Sequence, residues 1–374
     1  MEVSIIFIQY SSLGILLFHQ IFLVTSYFAR DHSCAMFLLY FSIILIIVLQ
    51  RLHLVQQSPP FYIPSEYINY RLDTKIRCEG ELGIVKKFDS LDGSPSIAIK
   101  KFTHTPEDSD RAKLVLNEIN LRQTLQHENI VKFLGAYSEG REGAESIYYI
   151  TEHCGDPLSK RIWHGRYSIK EAKKWTSELL SAVQFLHSNG IVHRNLHPFN
   201  ICIDTNNKLR LITLGANRAI NRDESTLSST QPYSPIELMV EWKCALDGKV
   251  DIWSISALLC EMFTGQPLFV RELAGSTLQL QIEYCGPIEE AVIAKVVSTS
   301  IRCSLQDNSK TAVRKDLFKL LRENMMPGRG IGEAELLSTE PLLRDFLEHT
   351  LQFDPDRRIS AEYALAHPFL QISQ

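Results

Sequence analysis

The polar residues best suited to chemistry gather in residues 191–215, Ile-Val-His-Arg-Asn-Leu-His-Pro-Phe-Asn-Ile-Cys-Ile-Asp-Thr-Asn-Asn-Lys-Leu-Arg-Leu-Ile-Thr-Leu-Gly. His193, Arg194, Asn195, His197, Asn200 and Thr213 give this run many hydrogen-bonding groups and little negative charge. Asn195 is a neutral amide with no useful basicity, and general acid-base catalysis is worth about 10²–10⁴-fold in rate. Thr213 offers one neutral hydroxyl, a poor ligand for Mg²⁺, which favours charged oxygens. Upstream, Lys100 ends the apolar stretch Ile97-Ala-Ile-Lys-Lys101, and Glu118 lies within an amphipathic segment, 110–126. Gly80 and Gly83 stand in Cys-Glu-Gly-Glu-Leu-Gly. Glycine lets backbone amides approach an anion closely, though by itself this pattern fits an ordinary hairpin as well.

The elements that must position these groups are readable. Residues 67–101 read as three strands. Residues 168–189 have helical periodicity, with Trp175, Leu179, Leu180, Val183, Phe185 and Leu186 recurring at steps of three and four, and Gly190 stops the helix.

The chain of 374 residues and 42.7 kDa can hold one large two-lobed domain with an appendage, or two ordinary domains. Its net charge of -4 gives no basic face for nucleic acid. Eight cysteines, at 34, 78, 154, 202, 244, 260, 285 and 303, include no C-x-x-C pair, so no zinc site is indicated. Their irregular spacing in a long chain reads as free or buried thiols in a reducing compartment.

The front end, 1–55, is hydrophobic. No Asp, Glu, Lys or Arg occurs from Val3 to Ala29 or from Ser33 to Gln50. A helix of about 20 apolar residues crosses a bilayer because it satisfies its own backbone hydrogen bonds. Three readings stay open: a hairpin of two spans, a single span or signal-anchor, or a segment absent from the mature protein. The start has no basic n-region, which argues against a cleaved signal peptide. Arg51 after the second run favours a cytosolic main domain. Without the segment, the expected location is cytoplasm and nucleus. Residues 56–66 read as a linker, where Pro59, Pro60 and Pro64 exclude a helix.

Residues 67–371 resemble a protein kinase. The run at 191–215 is similar to the catalytic loop H-R-D-L-K-x-x-N, two short strands and the metal turn D-F-G. His193, Arg194, Leu196, Pro198, Asn200 and Gly215 match; Asn195 stands for the catalytic Asp, His197 for the Lys and Thr213 for the metal-binding Asp. The resemblance implies an α+β, bilobal fold, with a small mainly β lobe at about 67–154 and a large mainly α lobe at about 155–371. It also implies a nucleotide site built from Gly80, Gly83, Val85, Ala98, Lys100, Glu118, Thr151, Glu152 and Cys154. Lys100 would hold phosphate and pair with Glu118. Thr151 would stand at the mouth of the adenine pocket, and the backbone from Glu152 to Cys154 would meet adenine. His193, Arg194, Gly215, Glu237, Asp251 and Arg358 would hold the fold, with Glu237 paired to Arg358. ATP is the expected ligand; Asn200 and Thr213 make a degenerate metal site that is not expected to serve Mg²⁺.

Within the kinases, Leu278-Gln-Leu-Gln-Ile-Glu-Tyr-Cys-Gly-Pro287, Ser298-Thr-Ser-Ile-Arg302 and the run from Asp354 to Leu370 resemble mitogen-activated protein kinases, the stress-activated branch above all. Their T-x-Y phosphorylation motif falls on Ser225-Thr226-Leu227, so the tyrosine is gone and only Ser225 or Thr226 remains as a phosphosite. No acidic docking cluster follows Leu370, so docking by linear motifs is not expected. The expected function is a membrane-tethered pseudokinase that works through protein partners in a kinase cascade as scaffold or allosteric regulator. Two alternatives are an active serine/threonine kinase that uses another carboxylate such as Asp204, and a nucleotide-sensing switch.

Overall fold

The computed structural model describes residues 64, 67–80, 83–102, 109–139, 146–165, 167–215, 231–270, 277–325, 331 and 333–371. All of them belong to the compact unit Pro64–Gln374. The front end, 1–55, lies outside the described residues, and so does the expected linker except Pro64. Among the described residues no helix is long and apolar enough to cross a membrane.

The small lobe is a five-stranded antiparallel sheet in the order β1-β2-β3-β5-β4, from β1 (Tyr70–Gly80), β2 (Gly83–Ser90), β3 (Ile97–Phe102), β4 (Phe133–Glu139) and β5 (Ser146–Glu152). The three strands expected from the first part of the domain are present. β3 is central, and Ile97, Ile99 and Phe102 are buried in it. The β2–β3 turn is set by Ser90-Leu-Asp-Gly: Asp92 Oδ1 accepts the Ser94 N–H at 3.0 Å, and Gly93 takes φ 85°. Helix α1 (Ser109–Thr124) packs Val115 and Ile119 against Phe102 and Tyr149.

The large lobe is helical. After the two-residue strand β6 (Asp156–Pro157) and α2 (Leu158–His164) comes α3 (Ile169–Ser188), close to its expected bounds. Ser168 caps it reciprocally with Glu171, satisfying two helix-end donors, and Gly190 ends it at φ 73°. Strands β7 (Ile201–Ile203) and β8 (Leu209–Leu211) follow the catalytic-loop stretch and join β6 in a three-stranded sheet. Past α4 (Ile236–Met239), α5 (Lys249–Thr264) is buried along almost its whole length, mostly by apolar side chains but with the polar Asp251, Ser254, Ser256, Glu261 and Thr264 enclosed as well. After it come α6 (Thr277–Cys285), α7 (Glu290–Ile293), α8 (Thr299–Thr311), α9 (Leu317–Glu323), α10 (Glu333–Thr350) and α11 (Ala361–Leu365), of which α9, α10 and α11 pack against it. Arg358 and Glu237 form the expected ion pair at 2.7 Å with both side chains sealed from water.

One expectation is overturned. Cys154 and Cys202 form a disulfide, with Cα atoms 6.1 Å apart. Forty-eight residues separate them in sequence, and the contact arises only because β6 pairs with β7, setting Pro157 opposite Cys202. Spacing along the chain carries no trace of that pairing. Cys244, Cys260, Cys285 and Cys303 are free, as expected.

Candidate functional site

The loop between α3 and β7 is held by a buried carboxylate. Asp251, at the start of α5, accepts the His193 N–H at 2.9 Å and the Arg194 N–H at 2.7 Å, and its Oδ2 also lies 2.8 Å from His187 Nε2. Arg194 sits at φ 62°, a strained conformation that these bonds hold in place. His193 is fully buried, and burial pushes its pKa down, so the ring is neutral. Its Nδ1 accepts the Asn195 N–H at 3.2 Å, which puts the proton on Nε2, where it meets the Thr213 carbonyl at 2.9 Å. Gly215 takes φ 69°, and any Cβ there would overlap the His193 carbonyl. The loop and the turn are therefore locked together.

This geometry accords with comparison to known proteins. The family described as protein kinase domain matches residues 73–370. The chain belongs to the protein kinase family. It is 28% identical over 291 residues to the mitogen-activated protein kinase mpkC of Emericella nidulans, covering 78% of this chain and 65% of that one. It is 31% identical to HOG1A of Wallemia ichthyophaga, across 75% of this chain and 72% of that one, and 26% identical to p38b of Drosophila melanogaster, across 78% and 77%. Both are named as mitogen-activated protein kinases.

Within that kinase frame, the positions for chemistry are occupied by neutral groups. Asn195 Oδ1 is buried and finds no hydrogen-bond partner among the described residues. The Asn200 amide donates to the Asn195 carbonyl at 2.9 Å and meets His197 Nε2 at 2.7 Å. Thr213 turns its hydroxyl towards His193 Nε2, 3.4 Å away. Two uncharged oxygen-bearing side chains, Asn200 and Thr213, do not fit the charged oxygen set that Mg²⁺ requires. Asp204, the alternative base, is engaged: Oδ1 accepts the Asn206 and Lys208 N–H groups at 2.9 Å, and Oδ2 faces Arg210 at 3.4 Å.

The pair expected between Lys100 and Glu118 is not formed. Glu118 is bound instead by Arg122, at 3.0 Å on the same helix, and accepts from the Tyr149 hydroxyl at 3.4 Å. Residues four apart on a helix face one another, so Arg122 reaches the carboxylate without any movement of the lobe. Arg122 also donates to the Ile212 carbonyl, one residue before Thr213. The Lys100 ammonium lies over two rings, 4.8 Å from the centroid of Phe102 and 5.6 Å from that of Tyr149. Sequence reasoning missed Arg122; its signal was the spacing of four from Glu118.

The remaining residues expected at a nucleotide site lie on the small-lobe strands and the segment after β5. Gly80 and Gly83 face each other across the β1–β2 turn, and a Cβ on Gly83 would overlap the Lys101 carbonyl. Val85 is opposite Lys100, and Ala98 opposite Thr151. In the hinge, the segment 152–154 that leads from β5 towards the large lobe, Glu152 is ion-paired with Arg210 at 2.7 Å, and Cys154 carries the disulfide. Ser225 and Thr226 lie outside the described residues.

A second cluster, Asp345, His349 and His367, gathers three metal-capable side chains. His367 Nδ1 accepts the Phe369 N–H at 3.2 Å, so the proton sits on Nε2 and faces Asp345 at 3.2 Å. That nitrogen has no lone pair for a metal, and the trio is an end-cap and hydrogen-bonding group.

Proposed function

We propose that this protein is a pseudokinase. It binds ATP without transferring the γ-phosphate, and regulates protein partners in a kinase cascade as scaffold or allosteric component. The observation that carries this reading is the pair of neutral side chains, Asn195 and Thr213, in the loop and turn that His193 and Asp251 hold in a kinase-like arrangement. The loop and turn keep their hydrogen bonds while the base and the metal carboxylate are missing. Retention of Lys100, Gly80 and Gly83 supports nucleotide binding. The protein-partner role follows the relatives' description as mitogen-activated protein kinases.

The same reading places residues 1–55 in a membrane with the kinase domain on the cytosolic side, supported by the two uncharged runs and Arg51. Carbonate extraction of a reporter fused to residues 1–66 tests the tether; a reporter washed off the membrane rules it out.

The activity reading is tested by phosphate transfer from labelled ATP to a generic basic protein substrate. Kinases turn over at about 1–100 s⁻¹. The expectation is no transfer above that of the Lys100→Met variant. A turnover that Lys100→Met abolishes would establish an active kinase with rearranged groups.

A further inference from the structure

The Cys154–Cys202 bond joins two places that matter to a nucleotide. Cys154 lies in the hinge, directly after Glu152 and His153, and Cys202 lies on β7, two residues after Asn200. Other contacts hold the same junction: Glu152 pairs with Arg210 at 2.7 Å, and Gly155 is so close to β7 that a Cβ on it would stand 2.7 Å from the Ile203 carbonyl oxygen. Those contacts are reversible on thermal timescales. The disulfide is the covalent one, and it fixes the hinge to the large lobe.

We propose that Cys154 and Cys202 are a thiol–disulfide switch that gates the nucleotide site. The bridged form pins the hinge against β7 and binds ATP weakly; the dithiol form frees the hinge backbone to receive the purine. This rests on the reading above, in which the cleft binds ATP and the domain faces the cytosol. Cytosolic disulfides are rare and mostly transient or redox-sensing. The pairing is selective, since the four other cysteines among those fully described stay free. Both states are provided for. Cys154 is half-buried and the more exposed of the two, whereas Cys202 is sealed, with Sγ 3.4 Å from the Arg210 carbonyl oxygen, an acceptor for the S–H of the reduced form.

The exchange uses glutathione. A glutathione thiolate attacks Cys154 Sγ, the Sγ–Sγ bond breaks, and Cys202 leaves as a thiolate and takes up a proton. A second glutathione thiolate attacks the mixed disulfide; Cys154 is released and protonated, and glutathione disulfide forms. Two electrons pass to the protein pair, and glutathione disulfide drives the reverse sequence. Linkage requires that ATP oppose oxidation by the same factor by which the bridge opposes ATP.

The test is ATP affinity of the full chain, equilibrated in reduced glutathione or in glutathione disulfide, with peptide mapping of the 154–202 link. The expected result is at least a tenfold weaker affinity in the bridged protein. Cys202→Ala and Cys202→Ser should keep the dithiol affinity in both buffers, and ATP should raise the glutathione disulfide needed for half-oxidation of the wild type. Equal or tighter ATP binding in the mapped bridged form overturns the gate and leaves nucleotide binding standing. Failure to form the 154–202 link, in a protein that binds ATP, also overturns it. No ATP binding in either buffer or by either variant removes the nucleotide reading and the gate with it.

Discussion

Arg122 Nη2 lies 3.0 Å from Glu118 Oε1, one turn along the same helix, and both side chains are sealed from solvent. This pair replaces the link from Glu118 to Lys100 that the sequence implied. It also binds the helix to the backbone beside Thr213, through the Ile212 carbonyl. The small lobe's helix and the metal turn are thereby joined by an arginine rather than through a lysine and bound phosphate.

Removing one partner of a buried ion pair leaves an uncompensated charge, a loss of about 3–5 kcal/mol. Arg122→Leu should destabilise the protein by that amount in guanidinium unfolding. Adding Glu118→Gln should recover part of it, because the buried negative charge is gone. A loss below about 1 kcal/mol for Arg122→Leu would show that the pair contributes no more than a surface contact.

Glu261 gives a pH dependence. It is buried on α5, its Oε2 accepts the Tyr233 hydroxyl at 2.7 Å, and burial pushes its carboxyl up to about 7. The unfolded chain releases this proton near its ordinary value, whereas the folded protein holds it. The stability from Glu261 is therefore fully present below about pH 4.5 and lost as pH rises through about 7. The loss is ~3 kcal/mol at 1.36 kcal/mol per pH unit. Glu261→Gln should abolish it, so urea midpoints of wild type and variant should diverge between pH 4.5 and 8. Parallel curves would place the titration elsewhere.

The architecture was largely legible in the sequence. The strands of the small lobe and α3 with its stop at Gly190 follow from local pattern, whereas the Glu237–Arg358 and Asp251 anchors came from the resemblance to protein kinases. What was hidden depended on three-dimensional competition. Glu118 had two cationic partners within the fold, and Arg122 prevailed through its place on the same helix. The Cys154–Cys202 contact was hidden for a different reason: a pair 48 residues apart meets only through the β6–β7 register.

That disulfide should stabilise the domain by restricting the unfolded chain. With a separation of 48 residues, the loop-entropy relation gives ~4 kcal/mol. Unfolding free energies of the wild type in glutathione disulfide and in reduced glutathione should differ by about that amount, while Cys202→Ala shows no difference between the two. A wild type insensitive to redox conditions would mean the bond does not constrain the unfolded state.

The central claim is that the kinase frame survives here without its metal and base chemistry. Its most direct test is thermal unfolding of the full chain in reduced glutathione, with ATP alone and with ATP and Mg²⁺. Ligand at a hundred times its Kd adds about 2.7 kcal/mol, which raises the midpoint by a few degrees. The account predicts the same rise with and without Mg²⁺, because Asn200 and Thr213 give the metal no carboxylate. A rise that appears only with Mg²⁺ would show a working metal site and contradict the account.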